Sequence, residues 1–253
     1  MKKPISIGVV GCGYWGPNLI RNFRSLPDCN LKMLCDTNTS RLEHLSTLYP
    51  EAEGTAEFEP MLNGANLDAV VIATPVHLHH KLAKAALLAG KHTFIEKPMA
   101  SSAAECEELI DLARKQGVTL MVGHTFLYSP PVRKIKEIIS HGDIGRIQYI
   151  SSSRLNLGLF QKDINVVWDL APHDISIILY LMGTSPDALN CQGAANVTPG
   201  IEDVTTMSLK FDGGEFATIR NSWLDPRKVR EMTIVGDKRM IVYDDLEPLQ
   251  KIR

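Results

Sequence analysis

A chain of 253 residues, 44% hydrophobic and with a formal charge of -2, holds enough apolar surface for a large core, and its length falls where single cores begin to divide. Its charges nearly cancel and no basic run exceeds a pair, which removes nucleic acid and anionic membranes from the expected partners. No apolar run approaches the ~20 residues that cross a bilayer, and Met1-Lys2-Lys3-Pro4 leads straight into a strand without a removable leader, so a cytoplasmic protein is expected.

In chain order, Ile5-Ser6-Ile7-Gly8-Val9-Val10 reads as a short buried strand that runs into Gly11-Cys12-Gly13-Tyr14-Trp15-Gly16. Leu19, Ile20, Phe23 and Leu26 follow at helical spacing, so the glycines occupy a strand-to-helix turn. There Gly11 permits the tight turn, Gly13 lets backbone approach a pyrophosphate, and Gly16 lets helix and strand pack closely; Tyr14 and Trp15 sit within the same turn. A second strand over 31–35 ends at Asp36, twenty residues past Gly16, the position of a carboxylate that accepts both adenosine ribose hydroxyls. That carboxylate favours NAD over NADP, although Arg41 follows closely.

Strands and helices then alternate: helix 41–49, strand 67–73, helix 79–89, strand 93–95, helix 103–115 and strand 118–122. This pattern predicts a doubly wound parallel sheet over 1–123. Beyond Gly123 the pattern changes to a strand over 146–155, a helix over 172–182 with Pro172 in its first turn, and strand-like runs near Leu189 and over 204–211, 215–223, 229–235 and 240–243. Asp212-Gly213-Gly214 and Gly236-Asp237-Lys238 mark hairpin turns, so 124–253 is expected to be an α+β domain with a largely antiparallel, open-faced sheet. Trp223 and alternating apolar residues on that open face point to a homo-dimer or homo-tetramer.

The five cysteines, Cys12, Cys29, Cys35, Cys106 and Cys191, are scattered without a Cys-x-x-Cys pair and read as reduced packing residues. His77, His79 and His80 lack ligand partners at metal spacing, so no metal is expected.

Ligands of such sheets collect at the carboxyl ends of strands. Two ends carry distinctive chemistry: Ala73-Thr74-Pro75, where proline fixes a turn, and Glu96-Lys97-Pro98, where Pro98 keeps Lys97 out of the helical region and permits a cis bond that would aim its ammonium at the crevice. A surface Glu-Lys pair before a helix is the alternative. In Trp168-Asp169-Leu170-Ala171-Pro172-His173-Asp174, the helix start opposes a charged imidazole while a nearby carboxylate favours it, which suits His173 to general base work. Capping by Asp169 and a buried, hydrogen-bonded His173 is the alternative there. Tyr128, Arg154, Asn156 and Asn165 are positioned to reach a polar substrate, Arg154 through a two-pronged grip on carboxylate or phosphate, or else represent ordinary loop and strand-edge polarity.

The glycine turn, Thr74-Pro75 with Leu78-His79, Ala89-Gly90-Lys91-His92 before Glu96-Lys97-Pro98, and Asp169 with His173 together resemble the glucose-fructose oxidoreductase/inositol dehydrogenase (Gfo/Idh/MocA) family. The Trp168-to-Asp174 string and Ser222-Trp223-Leu224-Asp225-Pro226-Arg227-Lys228 look most like the sugar-nucleotide 3-dehydrogenases of bacterial polysaccharide biosynthesis. The resemblance implies an NAD-dependent dehydrogenase acting on a UDP-N-acetylhexosamine or its uronate, with inositol or free-sugar oxidation, or a non-catalytic dinucleotide sensor, as the alternatives. It also implies cofactor contacts from Thr74, Pro75, His79 and Lys97, a nicotinamide-ribose contact from Glu96, a grip on the reacting hydroxyl from Lys97, help from Asp169, and acid-base work by His173. Members of the family usually continue past the point where this chain ends, so a substrate domain truncated at its C-terminus is expected.

Overall fold

Alternate residues of the first strand go to opposite sides of a sheet, and that division organises residues 1–123, the first of two compact units. Residues 3–63, 66–158 and 160–253 are described by a computed structural model; Met1 and Lys2, at the start of the leaderless reading, lie outside them. The first unit runs β1 (Ile5–Val10), α1 (Gly16–Arg24), β2 (Cys29–Cys35), α2 (Thr39–Leu48), β3 (Glu53–Thr55), α3 (Glu59–Asn63), β4 (Ala69–Ile72), α4 (Val76–Leu88), β5 (His92–Ile95), α5 (Ala103–Gln116) and β6 (Leu120–Val122). Its six strands are all parallel in the order β3-β2-β1-β4-β5-β6. Val9 packs with Leu19, Ile20 and Leu42 from α1 and α2. Val10 faces the other way and packs with Ala83, Leu87 and Leu109 from α4 and α5. Burial on both faces explains the continuous apolar runs. The strand order reverses between β1 and β4, and the crevice at their carboxyl ends is where such sheets bind ligands.

The second unit, residues 124–253, has a 3-10 turn (Thr125–Tyr128), α6 (Pro130–Ser140), β7 (Ile147–Leu157), α7 (Val166–Met182), β8 (Ala188–Ala194), β9 (Val204–Lys210), β10 (Phe216–Ser222), β11 (Leu224–Gly236) and β12 (Met240–Asp244). Its sheet has the order β12-β11-β7-β10-β9-β8, and only β7 and β10 pair in parallel. Ile177, Ile178 and Leu181 of α7 and Val132 and Ile135 of α6 cover one face, against Ile150, Met207, Ile219 and Ile234. The other face is mostly polar, with Thr206, Ser208, Lys210 and Arg220 exposed and a stacked Tyr149–Phe216 pair whose centroids are 5.5 Å apart.

Four expectations change here. The edge strand β3 and the short α3 carry no hydrophobic period and escape a reading based on pattern. Helix α7 begins at Val166, because the Asn165 side chain caps it by accepting from Trp168 N at 3.2 Å; Pro172 therefore lies inside the helix and withholds an N–H from the Trp168 carbonyl. Trp223 is 1% exposed and contributes nothing to the open face. Cys191 is exposed on β8 rather than packed, whereas burial pushes the Cys12 thiol up to about 12 and the Cys35 thiol to about 11.

Candidate functional site

A cleft of about 970 Å³ opens in the first unit at the strand-order reversal, lined by Gly11, Gly13, Tyr14, Trp15, Asp36, Thr74 and Pro75 among others. Gly11 has φ +95°, and a Cβ there would lie 2.5 Å from the Ala73 carbonyl, so the turn and the close approach of the β4–α4 loop both require glycine. A Cβ on Gly16 would collide with the Gly11 carbonyl oxygen. Gly13 meets only the Arg41 guanidinium, at 3.6 Å, which leaves its backbone open to a ligand. The Trp15 side chain makes no capping bond at the start of α1; Pro17 has no N–H and Asn18 N donates to the Trp15 carbonyl at 3.0 Å, so of the first amides it is the Gly16 N–H that an anion can use.

Asp36 is fixed from two sides, with Cys12 N donating to Oδ2 at 2.6 Å and Asn38 N donating to Oδ1 at 2.8 Å. A carboxylate oxygen can accept more than one bond, so this clamp orients the group toward ribose hydroxyls without exhausting it. Phe58, Leu62, Leu78 and Leu82 add apolar wall suited to a flat base. Thr74 Oγ1 is buried without a hydrogen-bond partner among the described residues, an acceptor and donor suited to a ligand in this cleft. An adenine dinucleotide therefore fits the residues present. Sequence reasoning missed the wall at 56–59 and 62, which follows the unpatterned β3; the signal that could have found it is Phe58 and Leu62 beside an expected nucleotide turn.

Glu96, His79 and Lys97 are not part of the cleft lining. The buried Glu96 accepts from Trp15 Nε1 at 2.7 Å and from Lys97 N at 3.2 Å, and burial raises its carboxyl above the ordinary range. The Lys97–Pro98 bond is cis. His79 is 1% exposed, with Nδ1 2.8 Å from the Pro98 carbonyl and Nε2 2.8 Å from the Thr74 carbonyl. A neutral imidazole carries a single N–H, so His79 donates to one of these two carbonyls. Burial, against the pull of those carbonyls, lowers its pKa. The unfolded chain therefore takes up this proton first as pH falls, so the stability tied to neutral His79 is fully present above about pH 6.5 and is lost below it. His79→Gln is expected to flatten the acid limb of urea-unfolding stability below about pH 6.5; an unchanged slope assigns that limb to other groups.

In the second unit, Asp169 occupies the first turn of α7 and His173 lies one turn further along the same face. Trp223 Nε1 donates to Asp169 Oδ2 at 3.1 Å, and the Phe126 ring meets the His173 ring edge-on, 5.0 Å between centroids. Arg154 corrects its expected role as a substrate grip. It donates from Nε and Nη2 to Asp174 at 2.9 and 3.1 Å, with both side chains 5% exposed, so its fork is spent internally. Asn165 likewise uses its amide in the helix cap and in a 2.8 Å bond to Glu202. Tyr128 is 55% exposed beneath the Arg133 guanidinium, and Asn156 is half-buried on β7. Among the described residues, no group of three or more His, Cys, Asp or Glu could hold a metal ion, and no helix is long and apolar enough to cross a membrane.

A six-stranded parallel nucleotide unit with a clamped acidic residue, followed by an α+β unit, defines the class of NAD-binding oxidoreductases. The family model described as an oxidoreductase family with an NAD-binding Rossmann fold matches residues 5–124, and the GFO/IDH/MocA C-terminal domain matches residues 132–242. The chain belongs to the GFO/IDH/MocA family. It is 30% identical to the uncharacterized oxidoreductase YrbE of Bacillus subtilis, over 88% of this chain and 68% of that one. It is 28% identical to the UDP-N-acetylglucosamine 3-dehydrogenase of Acidithiobacillus ferrooxidans, over 94% of this chain and 74% of that one. The solved WlbA dehydrogenase of Bordetella pertussis, in complex with NADH and UDP-GlcNAcA, shares the fold, with TM-score 0.88 at 23% identity over 96% of this chain and 75% of that one. The chain spans 57% to 68% of the length of YrbE and three other curated relatives that it matches.

Proposed function

We propose that this protein transfers hydride between NAD and a secondary alcohol of a nucleotide-linked hexose or hexuronate of the UDP-N-acetylhexosamine type, serving surface-polysaccharide synthesis in the cytoplasm. The observation that carries the reading is the Asp169–His173 pair, one turn apart on α7, in a chain whose other unit holds a dinucleotide cleft. When bound, NAD supplies the nicotinamide carbon that takes the hydride. His173 takes the hydroxyl proton at a ring nitrogen, Asp169 sustains the charge that results, and Lys97 holds the hydroxyl oxygen and stabilises its developing negative charge. Glu96 orients the nicotinamide ribose. The likeness to the UDP-N-acetylglucosamine 3-dehydrogenase across 94% of this chain supports the choice of substrate.

NADH formation, followed with UDP-N-acetylglucosamine, UDP-N-acetylglucosaminuronate, free hexoses and inositols, tests this. Fastest turnover on a UDP-sugar supports the proposal. A preference for inositol or a free sugar overturns the substrate, and tight NAD binding with no turnover on any of them overturns the enzyme in favour of a dinucleotide sensor. The edge strand β8, exposed along its whole length beside the open face, also supports assembly as a homo-dimer or homo-tetramer; a solution mass equal to one chain would remove that reading.

A further inference from the structure

Behind His173 lies a set of side chains that takes no part in the proton transfer described above. Asp174, the next residue and about 100° further around α7, holds the Arg154 guanidinium through two hydrogen bonds of 2.9 and 3.1 Å. The planar fork of Arg154, 4% exposed, lies over the Phe126 ring with its central carbon 4.8 Å from the ring centroid. Phe126 in turn meets His173 at an interplanar angle of 72°. The Nδ1 side of His173 is buried.

From this series we infer that Phe126, held by the Asp174–Arg154 pair, is a positioning residue for His173; the inference rests on the acid-base reading of that histidine. A bidentate ion pair fixes the plane of the guanidinium, because both of its bonds must be kept together. The guanidinium fixes the Phe126 ring by lying over its face, where the ring quadrupole attracts a cation. Phe126 then limits rotation of the imidazole about its side-chain bonds, since an edge-to-face contact is lost when either ring turns. Asp169 has a separate brace in Trp223, so the two members of the pair are held by different residues. The short 3-10 turn Thr125–Tyr128 carries Phe126 onto the core of α6, α7 and the sheet, which gives the support a rigid base.

Misplacing a reacting group by about 1 Å costs on the order of 10²-fold in rate. Phe126→Leu keeps an apolar side chain but removes the ring, and is expected to lower kcat about 10- to 100-fold while the KM for NAD holds. Phe126→Tyr, which restores the ring, should recover most of that loss. In proton NMR spectra the His173 ring resonances, assigned by their absence in His173→Asn, should move in the leucine variant and return in the tyrosine variant. A leucine variant that keeps full kcat, or a tyrosine variant as slow as the leucine one, would overturn the inference. Turnover surviving in His173→Asn would remove the acid-base reading beneath it, whereas turnover lost in His173→Asn but kept in Phe126→Leu removes the positioning role alone.

Discussion

Lys97→Ala is expected to cut turnover by about 10²- to 10³-fold and His173→Asn by about 10²- to 10⁴-fold, with the Kd for NAD within about twofold of wild type. The separation follows from where the binding groups lie. Backbone approach at Gly13, the start of α1, the Asp36 clamp and the apolar wall all belong to the cleft, and Lys97 is not among its lining residues. His173 belongs to the other compact unit. An alcohol oxidation that passes a proton to a base and a hydride to NAD, with negative charge building transiently on the oxygen before the neutral carbonyl forms, depends on those two side chains in its transition state, and a loss confined to kcat is the sign of an interaction made there. Steady-state rates on the best substrate, set beside an NAD titration followed by the fluorescence of the half-exposed Trp15, separate the two quantities. A parallel loss of NAD affinity and turnover would place Lys97 among the cofactor contacts and leave the proton transfer without its cation.

How much of this was legible in the sequence depends on the range over which each feature is determined. The glycine turn was legible because its constraints are local: Gly11 needs its φ of +95°, and Gly16 has no room for a Cβ against a backbone only five residues earlier. The helix α5 was legible for the same reason, with Ser102 accepting from Glu105 N at its start and Gly117 left-handed at its end. Helix α7 was placed too late because two local signals compete. Proline favours a first turn, but Asn165 seven residues earlier caps the helix, and burial of Val166 and Ala171 outweighs the lost Pro172 hydrogen bond. Arg154 was misread because the carboxylate that occupies it is twenty residues away, across the packing of α7 on β7. Nothing local distinguishes an arginine that awaits a ligand from one already paired inside the fold.

That pairing makes Asp174→Ala the substitution with the largest expected effect on stability. Its side chain and that of Arg154 are each 5% exposed, so removing the carboxylate leaves a guanidinium buried without its counter-charge. Loss of one partner of a buried pair costs about 3–5 kcal/mol, and for a unit of this size that lowers Tm by more than about 10 °C in a thermal melt. The comparison that gives the result meaning is the double variant Asp174→Ala/Arg154→Met, which removes the stranded charge and keeps apolar volume over Phe126. Replacing a buried ion pair with apolar groups is often neutral or stabilising, so most of the lost Tm should return. If the pair serves only the fold, turnover returns with it. If the guanidinium also sets the Phe126 ring against His173, the double variant melts near the wild-type temperature and still turns over slowly, because methionine fills space over the ring without a planar cation to orient it. A double variant as unstable as Asp174→Ala alone would show that the cost lies in the lost packing and hydrogen bonds rather than in the unpaired charge.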